Sequence, residues 1–137
     1  MERAFFDTNV ILYFFGEAGQ NTRVAERLLQ EGGVVSVQVL NEFLSVAVRK
    51  LKMNWSRARS ARDETLFFCP NPVPLTLQTH RSATEIVARY GYNIYDAMIL
   101  AAAMQAGCTT VYTEDMQHGQ TVGTLKIENP FRSLSKP

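Results

Sequence analysis

The sequence lacks the features that would indicate a secreted or membrane protein. Its 137 residues contain only two cysteines, Cys69 and Cys108, without metal-ligand spacing. We therefore expect both to be reduced, buried thiols of a cytoplasmic protein. An apolar run at 10–15 is too short to span a bilayer, and no basic segment with a cleavage site stands at the N-terminus. We expect no membrane association.

Charge of one sign is also missing. Lysine and arginine number 14 against 13 acidic residues, so the net charge is +1 and a polyanionic partner would need a local basic patch. There is no internal repeat, low-complexity tract or interdomain linker. With 46% hydrophobic residues, the chain is expected to form one globular domain spanning residues 1–137.

Short apolar segments alternate with helical patterns along the chain. The patterns predict strands at 3–6, 34–37, 73–77, 110–112 and 125–127. They predict helices at 9–15, 21–30, 38–52, 55–69, 79–90 and 93–106. Thr8 or Asn9 is expected to cap the first helix, and the prolines around 73–77 suit an edge strand. The alternation predicts an α/β fold whose parallel sheet is covered by helices on both faces.

Four acidic residues stand alone in apolar surroundings. Asp7 directly follows the first strand, and Asp115 comes soon after the strand at 110–112. Glu42 is the only acid in VQVLNEFLSVAV, and Asp96 is the only acid in IYDAMILAAAMQA. Ligands of open α/β sheets bind outside the carboxyl ends of the strands. If the first strand and 110–112 are neighbours, we expect the four carboxylates to gather at that edge.

Clustered carboxylates need compensation. Two like charges about 4 Å apart repel by roughly 4 kcal/mol at an effective dielectric of 20. The carboxylates must therefore share protons or bind a cation. Oxygen ligands favour the hard cations Mg²⁺ and Mn²⁺. Asn9 can add a neutral oxygen or hold Asp7 in place.

Each acid also has a purely structural interpretation. These interpretations are a helix cap for Asp7, a solvated helix face for Glu42, a capping box for Asp96 and a turn for Asp115. His118 is expected to be a turn or surface histidine. No single acid decides between the interpretations, and it is their joint placement that favours a metal site.

The segments FFDTNVILYFF, SVQVLNEF, YDAMILAAA and VYTEDMQHG, in this order, resemble a PIN domain. In particular, they resemble the VapC-type toxin ribonucleases of bacterial toxin–antitoxin pairs. The resemblance runs from residue 4 to Phe131 and includes the ending TEDMQHGQTVGTLKIENPF, whereas residues 53–90 resemble only generic helices. It implies a three-layer α/β/α sandwich with a short, mostly parallel sheet.

The resemblance also implies an activity, the hydrolysis of RNA with Mg²⁺ or Mn²⁺, leaving a 5′-phosphate and a 3′-hydroxyl. The implied catalytic residues are Asp7, Glu42, Asp96 and Asp115. Of these, Asp7, Asp96 and Asp115 would hold the metal, while Glu42 would bind it or orient the attacking water. The implied supporting residues are Asn9, Thr113 and Glu114, the last being an alternative to Asp115. The implied partners are RNA, an antitoxin protein and further copies of the chain in a homodimer or higher oligomer.

A basic run without any acid spans residues 49–62. It contains Arg49, Lys50, Lys52, Arg57, Arg59 and Arg62. It is a candidate track for RNA phosphates leading to the acids, with a solvated helix face as the alternative. Three aromatic residues, Trp55, Tyr92 and Tyr95, are expected to pack in the core, with base stacking as the alternative.

Two other functional classes are compatible with parts of this pattern. An aspartate-nucleophile phosphatase also has an Asp after its first strand, but it needs a second Asp two residues later, where this chain has Asn9. A non-catalytic metal- or protein-binding α/β module is the other alternative. The complete set of acids favours the nuclease over both.

Overall fold

Six helices pack around a small sheet. The computed structural model describes residues 3–132. Its helices are Thr8–Phe14 (α1), Gln20–Glu31 (α2), Val37–Arg49 (α3), Trp55–Phe68 (α4), Leu77–Tyr90 (α5) and Ile94–Gln105 (α6). Its strands are Ala4–Phe6 (β1), Thr110–Tyr112 (β2), Thr121–Val122 (β3) and Leu125–Glu128 (β4). The predicted α/β fold with a mostly parallel sheet is confirmed.

The sheet order is β1-β2-β4-β3, so the first strand and the strand at 110–112 are neighbours as predicted. β1, β2 and β4 are parallel, and β3 pairs with β4 in an antiparallel hairpin. The register places Phe5, Val111 and Ile127 side by side, and all three are fully buried. The carboxyl ends of β1 and β2 therefore open onto one edge of the sheet.

The helices form two groups. Helix α6 packs against α5, β2 and β4, while α1 packs against α2 and α3, and α3 against α4. Helix α6 is apolar on nearly every side, and the sequence predicts a central position for it. Its alanines and its residues Ile99 and Leu100 are almost completely buried, which confirms that position.

Two of the predicted strands are wrong as full strands. Segment 34–37 contributes only isolated parallel bridges, from Val34 to Phe5 and from Ser36 to Val73. Ser36 instead caps α3, accepting a hydrogen bond from the Val39 N–H at 3.2 Å, so the extended stretch ends there. Segment 73–77 keeps its edge position but pairs only at Val73, because α5 already begins at Leu77.

Two smaller predictions also differ from the structure. The cap of α1 is Asp7 itself rather than Thr8 or Asn9, and α1 begins at Thr8. The two-residue strand β3 was not predicted, because two residues are too few to show an alternating pattern. Its hairpin with β4 turns at Gly123, whose φ of 60° suits glycine.

Cys69 and Cys108 are both buried and unpaired, as expected. Burial raises the pKa of the Cys69 thiol to about 12. None of the helices within residues 3–132 is both long enough and apolar enough to cross a membrane.

Candidate active site

Asp7 lies where β1 ends and α1 begins. Its backbone N–H donates to the Tyr112 carbonyl oxygen at 3.0 Å, so the β1–β2 pair fixes its position. One carboxylate oxygen accepts from the Thr8 N–H at 2.7 Å and caps α1. The other accepts from the Thr113 hydroxyl at 2.7 Å. Capping is therefore one role of Asp7, but it uses only one of the two carboxylate oxygens.

The Asp7 carboxyl is buried without a positive partner. It is 4% exposed, and no ion pair within residues 3–132 involves it. Burial raises its pKa from the ordinary 3.8 to about 7, against the two hydrogen bonds, and the negative charges of Asp115 and Glu42 raise it further. Without a cation, a substantial fraction of Asp7 is therefore protonated at neutral pH.

A second group of contacts ties Asp7 to Asp115. The buried Thr113 hydroxyl that donates to Asp7 also accepts from the Asp115 N–H at 3.1 Å. The Asn9 amide nitrogen donates to the Asp115 carboxylate at 3.2 Å and contacts the Thr113 hydroxyl oxygen at 3.4 Å. The Asn9 side-chain oxygen is buried and has no hydrogen-bond partner within residues 3–132. A buried polar atom without a partner is costly, so this oxygen is a candidate ligand.

Glu42 approaches the same junction from α3. One of its carboxylate oxygens is 3.4 Å from the Thr8 hydroxyl, and the other accepts from the Gln38 side-chain amide at 2.8 Å. The same amide donates to the Tyr95 carbonyl oxygen at 3.1 Å. Gln38 is only 9% exposed, so this side of α3 is not the solvated face of the structural alternative. Sequence reasoning missed Gln38 as a site residue, although its spacing of four from Glu42 is a readable signal.

Asp96 is the third residue of α6. Its N–H donates to the Asn93 side-chain oxygen at 2.9 Å, and its carboxylate accepts from the Asn93 amide at 3.0 Å. The capping interpretation is therefore also present in the structure. Partial burial raises the Asp96 pKa, the Asn93 hydrogen bond lowers it, and the negative charges of Asp115 and Glu42 raise it again. The cap and the acidic surroundings coexist.

The four acids thus share one electrostatic environment, since Asp115 and Glu42 act on both Asp7 and Asp96. They do not form a closed cluster. Among residues 3–132, no three acidic, histidine or cysteine side chains lie close enough together to make a ready-made metal site. These four acids, called the acidic pocket below, influence one another electrostatically without converging on a single point.

Glu114 points to a different partner. The Tyr13 hydroxyl donates to both oxygens of its carboxylate, at 2.9 and 3.1 Å, and the Tyr13 ring packs on Phe131 with centroids 4.5 Å apart. Asp115, by contrast, belongs to the Asn9 and Thr113 network. Nothing in the sequence distinguishes Tyr13 from its aromatic neighbours, so its role could not be read there.

The basic residues differ in how far they are neutralised. Arg57 pairs with Glu64 and Arg62 with Asp63, each at 3.1 Å. Both acids lie just beyond the acid-free run. The other four basic side chains of the run at 49–62 are exposed and have no ion pair among residues 3–132. They are Arg49, Lys50, Lys52 and Arg59.

A groove of about 670 Å³ lies between α1, the 16–22 segment and the end of α3. Its walls include Asn9, Tyr13 and Glu114 together with Lys50 and Leu51, and none of the four acids is among its lining residues. The groove therefore places Asn9, which contacts Asp115, and Lys50 of the basic run on one surface.

The expectation that Trp55, Tyr92 and Tyr95 pack in the core is wrong for two of these residues. Tyr95 is 70% exposed and Trp55 is 56% exposed, so neither packs in the core. Tyr92 is half-buried, and its hydroxyl bonds the Gln120 side chain. His118 is exposed and its Nδ1 accepts from the Asn129 N–H at 3.0 Å, which agrees with a turn histidine.

The sequence matches the family model of the PIN domain over residues 4–122. No curated protein sequence matches the chain. Similar solved structures include a toxin–antitoxin complex from Klebsiella pneumoniae (TM-score 0.70, 20% identity, covering 93% of this chain and 97% of that chain). DNA-bound VapBC from Salmonella typhimurium is also similar (0.69, 20%, 95% and 99%). A third is VapC20 of Mycobacterium tuberculosis, a toxin that cleaves the sarcin–ricin loop (0.60, 19%, 82% and 89%). At these identities the similarity establishes a shared fold.

Proposed function

Since the chain belongs to the PIN domain family, a family of nucleases, we propose that it is a divalent-metal-dependent endoribonuclease and the toxin of a toxin–antitoxin pair. The observation that carries the proposal is the Asp7 carboxyl. It is buried, has no basic partner within residues 3–132, and lies close enough to Asp115 and Glu42 for both of their charges to act on it. A purely structural cap needs none of those neighbours.

The residues of the pocket fit Mg²⁺ or Mn²⁺. The three side chains that act on Asp7, those of Thr113, Asp115 and Glu42, all offer oxygen. The buried Asn9 side-chain oxygen has no hydrogen-bond partner within residues 3–132, and a cation or its water would supply one. Asp7, Asp96 and Asp115 would hold the ion. When bound, the ion would lower the pKa of a water and neutralise charge on the scissile phosphate.

The remaining polar residues have positioning roles in this proposal. Thr113 holds the Asp7 carboxylate and the Asp115 backbone at once, so it fixes the distance between the two ligands. Gln38 holds one oxygen of Glu42 and leaves the other, near Thr8, free to accept from an attacking water. In this role Glu42 orients the water by accepting its proton in a hydrogen bond.

RNA would reach the acids through the groove beside Asn9 and Tyr13. Lys50 lies in its wall, and Arg49, Lys52 and Arg59 are exposed without ion pairs in the described part of the chain. These four cations are the better candidates for phosphate contacts. Arg57 and Arg62 contribute less, because Glu64 and Asp63 already neutralise them.

The test is cleavage of a set of structured RNAs by purified protein with Mg²⁺, Mn²⁺ or a chelator. Asp7→Asn and Asp96→Asn should reduce cleavage to the level of the chelated protein while the fold is retained. Asp63→Asn is a matched control, because that carboxylate is exposed on α4 and pairs only with Arg62. The proposal is wrong if either active-site variant, folded as the parent, cleaves at the parental rate.

The antitoxin, a homodimer or higher oligomer and a cytoplasmic location belong to the same proposal. They are supported by the fold shared with the Klebsiella and Salmonella complexes. Light scattering of the purified chain measures its oligomeric state. Rescue of growth by a co-expressed partner measures neutralisation of the proposed toxin.

One observation favours the second candidate, a non-catalytic metal- or protein-binding module. The acids of the described chain do not close into a ready-made metal site. This alternative predicts Mn²⁺ binding, or none, without cleavage of any RNA. The phosphatase is not favoured, because Asn9 donates to Asp115 and Thr113 where that chemistry needs an acid.

A further inference from the structure

Tyr95 differs from the other tyrosines of the chain. Its ring is 70% exposed, and neither its ring nor its hydroxyl makes a hydrogen bond or ring contact with residues 3–132. The other four tyrosines each have a partner. These pairs are Tyr13 with Glu114, Tyr90 with Arg89, Tyr92 with Gln120 and Tyr112 with Phe6.

The backbone beneath this exposed ring is held firmly. Tyr95 is the second residue of α6, whose first turn is capped by Asn93, and it directly precedes Asp96. Its carbonyl oxygen accepts from the Gln38 amide, which also holds Glu42. The Tyr95 backbone is therefore fixed beside the acidic residues, next to Asp96 in the chain and linked to Glu42 through the Gln38 amide, and the exposed ring extends from this anchored position.

Resting on the nuclease function proposed above, we propose that the Tyr95 ring stacks on a nucleobase next to the scissile phosphate. The ring is too exposed for a core role, and it is anchored one residue from a carboxylate proposed to hold the metal, so it is available to a base whose own phosphate lies at the acids. A base inside a duplex is already covered on both faces. The proposed contact with Tyr95 therefore requires a base that is unpaired at the cleaved position.

Stacking on an aromatic side chain contributes about 1–3 kcal/mol per base and tolerates any base, because every base has a π-face. Tyr95 should therefore select for an unpaired base rather than for a particular sequence. Its hydroxyl is not required for this contact. A phenylalanine at position 95 should therefore retain the stacking contact, whereas an alanine should lose it.

The experiment compares Tyr95→Ala and Tyr95→Phe on a short unstructured RNA. For Tyr95→Ala we expect kcat/KM to fall about 5- to 150-fold, the equivalent of 1–3 kcal/mol, mainly through KM. Tyr95→Phe should stay within about twofold of the parent. The matched control is Phe67→Ala, since Phe67 is an even more exposed ring, on α4, that packs on Phe68. It should leave cleavage unchanged.

Two changes in the RNA complete the test. Annealing a complementary strand should abolish cleavage at the same site. Removing the single base beside the cleaved phosphate should lower kcat/KM of the parent by the same factor as the Tyr95→Ala substitution does. The same removal should not lower kcat/KM of the Tyr95→Ala variant any further. An additive loss instead would mean that Tyr95 does not contact that base.

The outcomes separate this inference from the proposed function. If the parent cleaves and Tyr95→Ala cleaves equally well, the inference is overturned and the nuclease stands; a ring that serves a protein partner gives this result. If the parent cleaves nothing, anisotropy of the same labelled RNA in chelator decides. If Tyr95→Ala weakens RNA binding and Tyr95→Phe retains it, the result supports stacking without catalysis. If both variants bind as the parent does, or if the parent does not bind, the inference is overturned.

Discussion

Asp7 should make the metal-free protein less stable as pH rises. Its pKa is about 7 in the folded protein and close to its ordinary 3.8 in the unfolded chain. A folded-state pKa that lies above the unfolded one means that stability is fully present below about pH 4. It is then lost progressively as pH rises to about 7, because only the unfolded chain ionises freely in that range.

The expected size follows from the difference of about three pKa units. At about 1.4 kcal/mol per unit, the free energy of unfolding in chelator should fall by about 4 kcal/mol between pH 4 and pH 8 from this group alone. Because Asp7 is 4% exposed, water does little to reduce this figure. Asp7→Asn keeps the size and the capping oxygen but cannot ionise, so this part of the pH dependence should disappear.

The assay is urea unfolding in chelator at pH 5, 6, 7 and 8. We expect the stability of the variant relative to the parent to rise from pH 5 to about pH 7 and then to level off. Mn²⁺ at pH 8 should restore the stability of the parent but not that of the variant. The raised pKa of Asp96 acts in the same direction but is present in both proteins and largely cancels in the difference. Asp63→Asn, an exposed carboxylate, should show no trend. Parallel curves for parent and Asp7→Asn would refute the reasoning.

Three further predictions test the fold and the groove. Gly33→Ala should destabilise the protein by about 1–3 kcal/mol in urea unfolding, because a Cβ there would lie 2.7 Å from the Phe6 ring; an unchanged midpoint would contradict it. Reversing the charges of Arg49 and Lys50 should weaken RNA binding and reduce the slope of log K against log salt by about one to two, and an unchanged slope would return both to a solvated face. Cys69 should resist iodoacetamide in the folded protein, since burial raises its pKa to about 12, and should react in urea; rapid native alkylation would contradict this.

The parts of the site that were readable from the sequence depend on local pattern. Asp7 follows a short apolar strand, and Asp96 begins a helix that is apolar on all sides, so both could be placed at the ends of elements before the fold was known. That the ends of β1 and β2 meet required one further step, the pairing of those strands. The structure bears out the pairing, while the roles of the acids remain predictions.

The parts that could not be read depend on which contacts form in the folded chain rather than on composition or periodicity. The exposure of Tyr95 is set by what packs above α6, and no local pattern reports this. Arg57 pairs with Glu64 two helical turns further along the chain, and Glu64 lies outside the acid-free run at 49–62. Segment 34–37 has the composition of a strand, but the cap at Ser36 ends it after single bridges. The exposure of Tyr95 thus depends on tertiary packing, whereas the Arg57–Glu64 pair lies within α4 and the Ser36 cap belongs to the start of α3.

The two hydrogen-bond networks of the pocket meet at adjacent residues. One runs from Asp7 through Thr113 to Asp115, and the other runs from Thr8 through Glu42 to the Gln38 amide. Residues 7 and 8 join β1 to α1, and the Asp7 N–H is tied to β2. A shift of α1 along β1 would therefore move both networks together and could not move one alone. The spacing of Asp7 and Asp115 thus depends on the register of the β1–β2 pair, which is fixed by the buried side chains of the sheet rather than by the acids themselves.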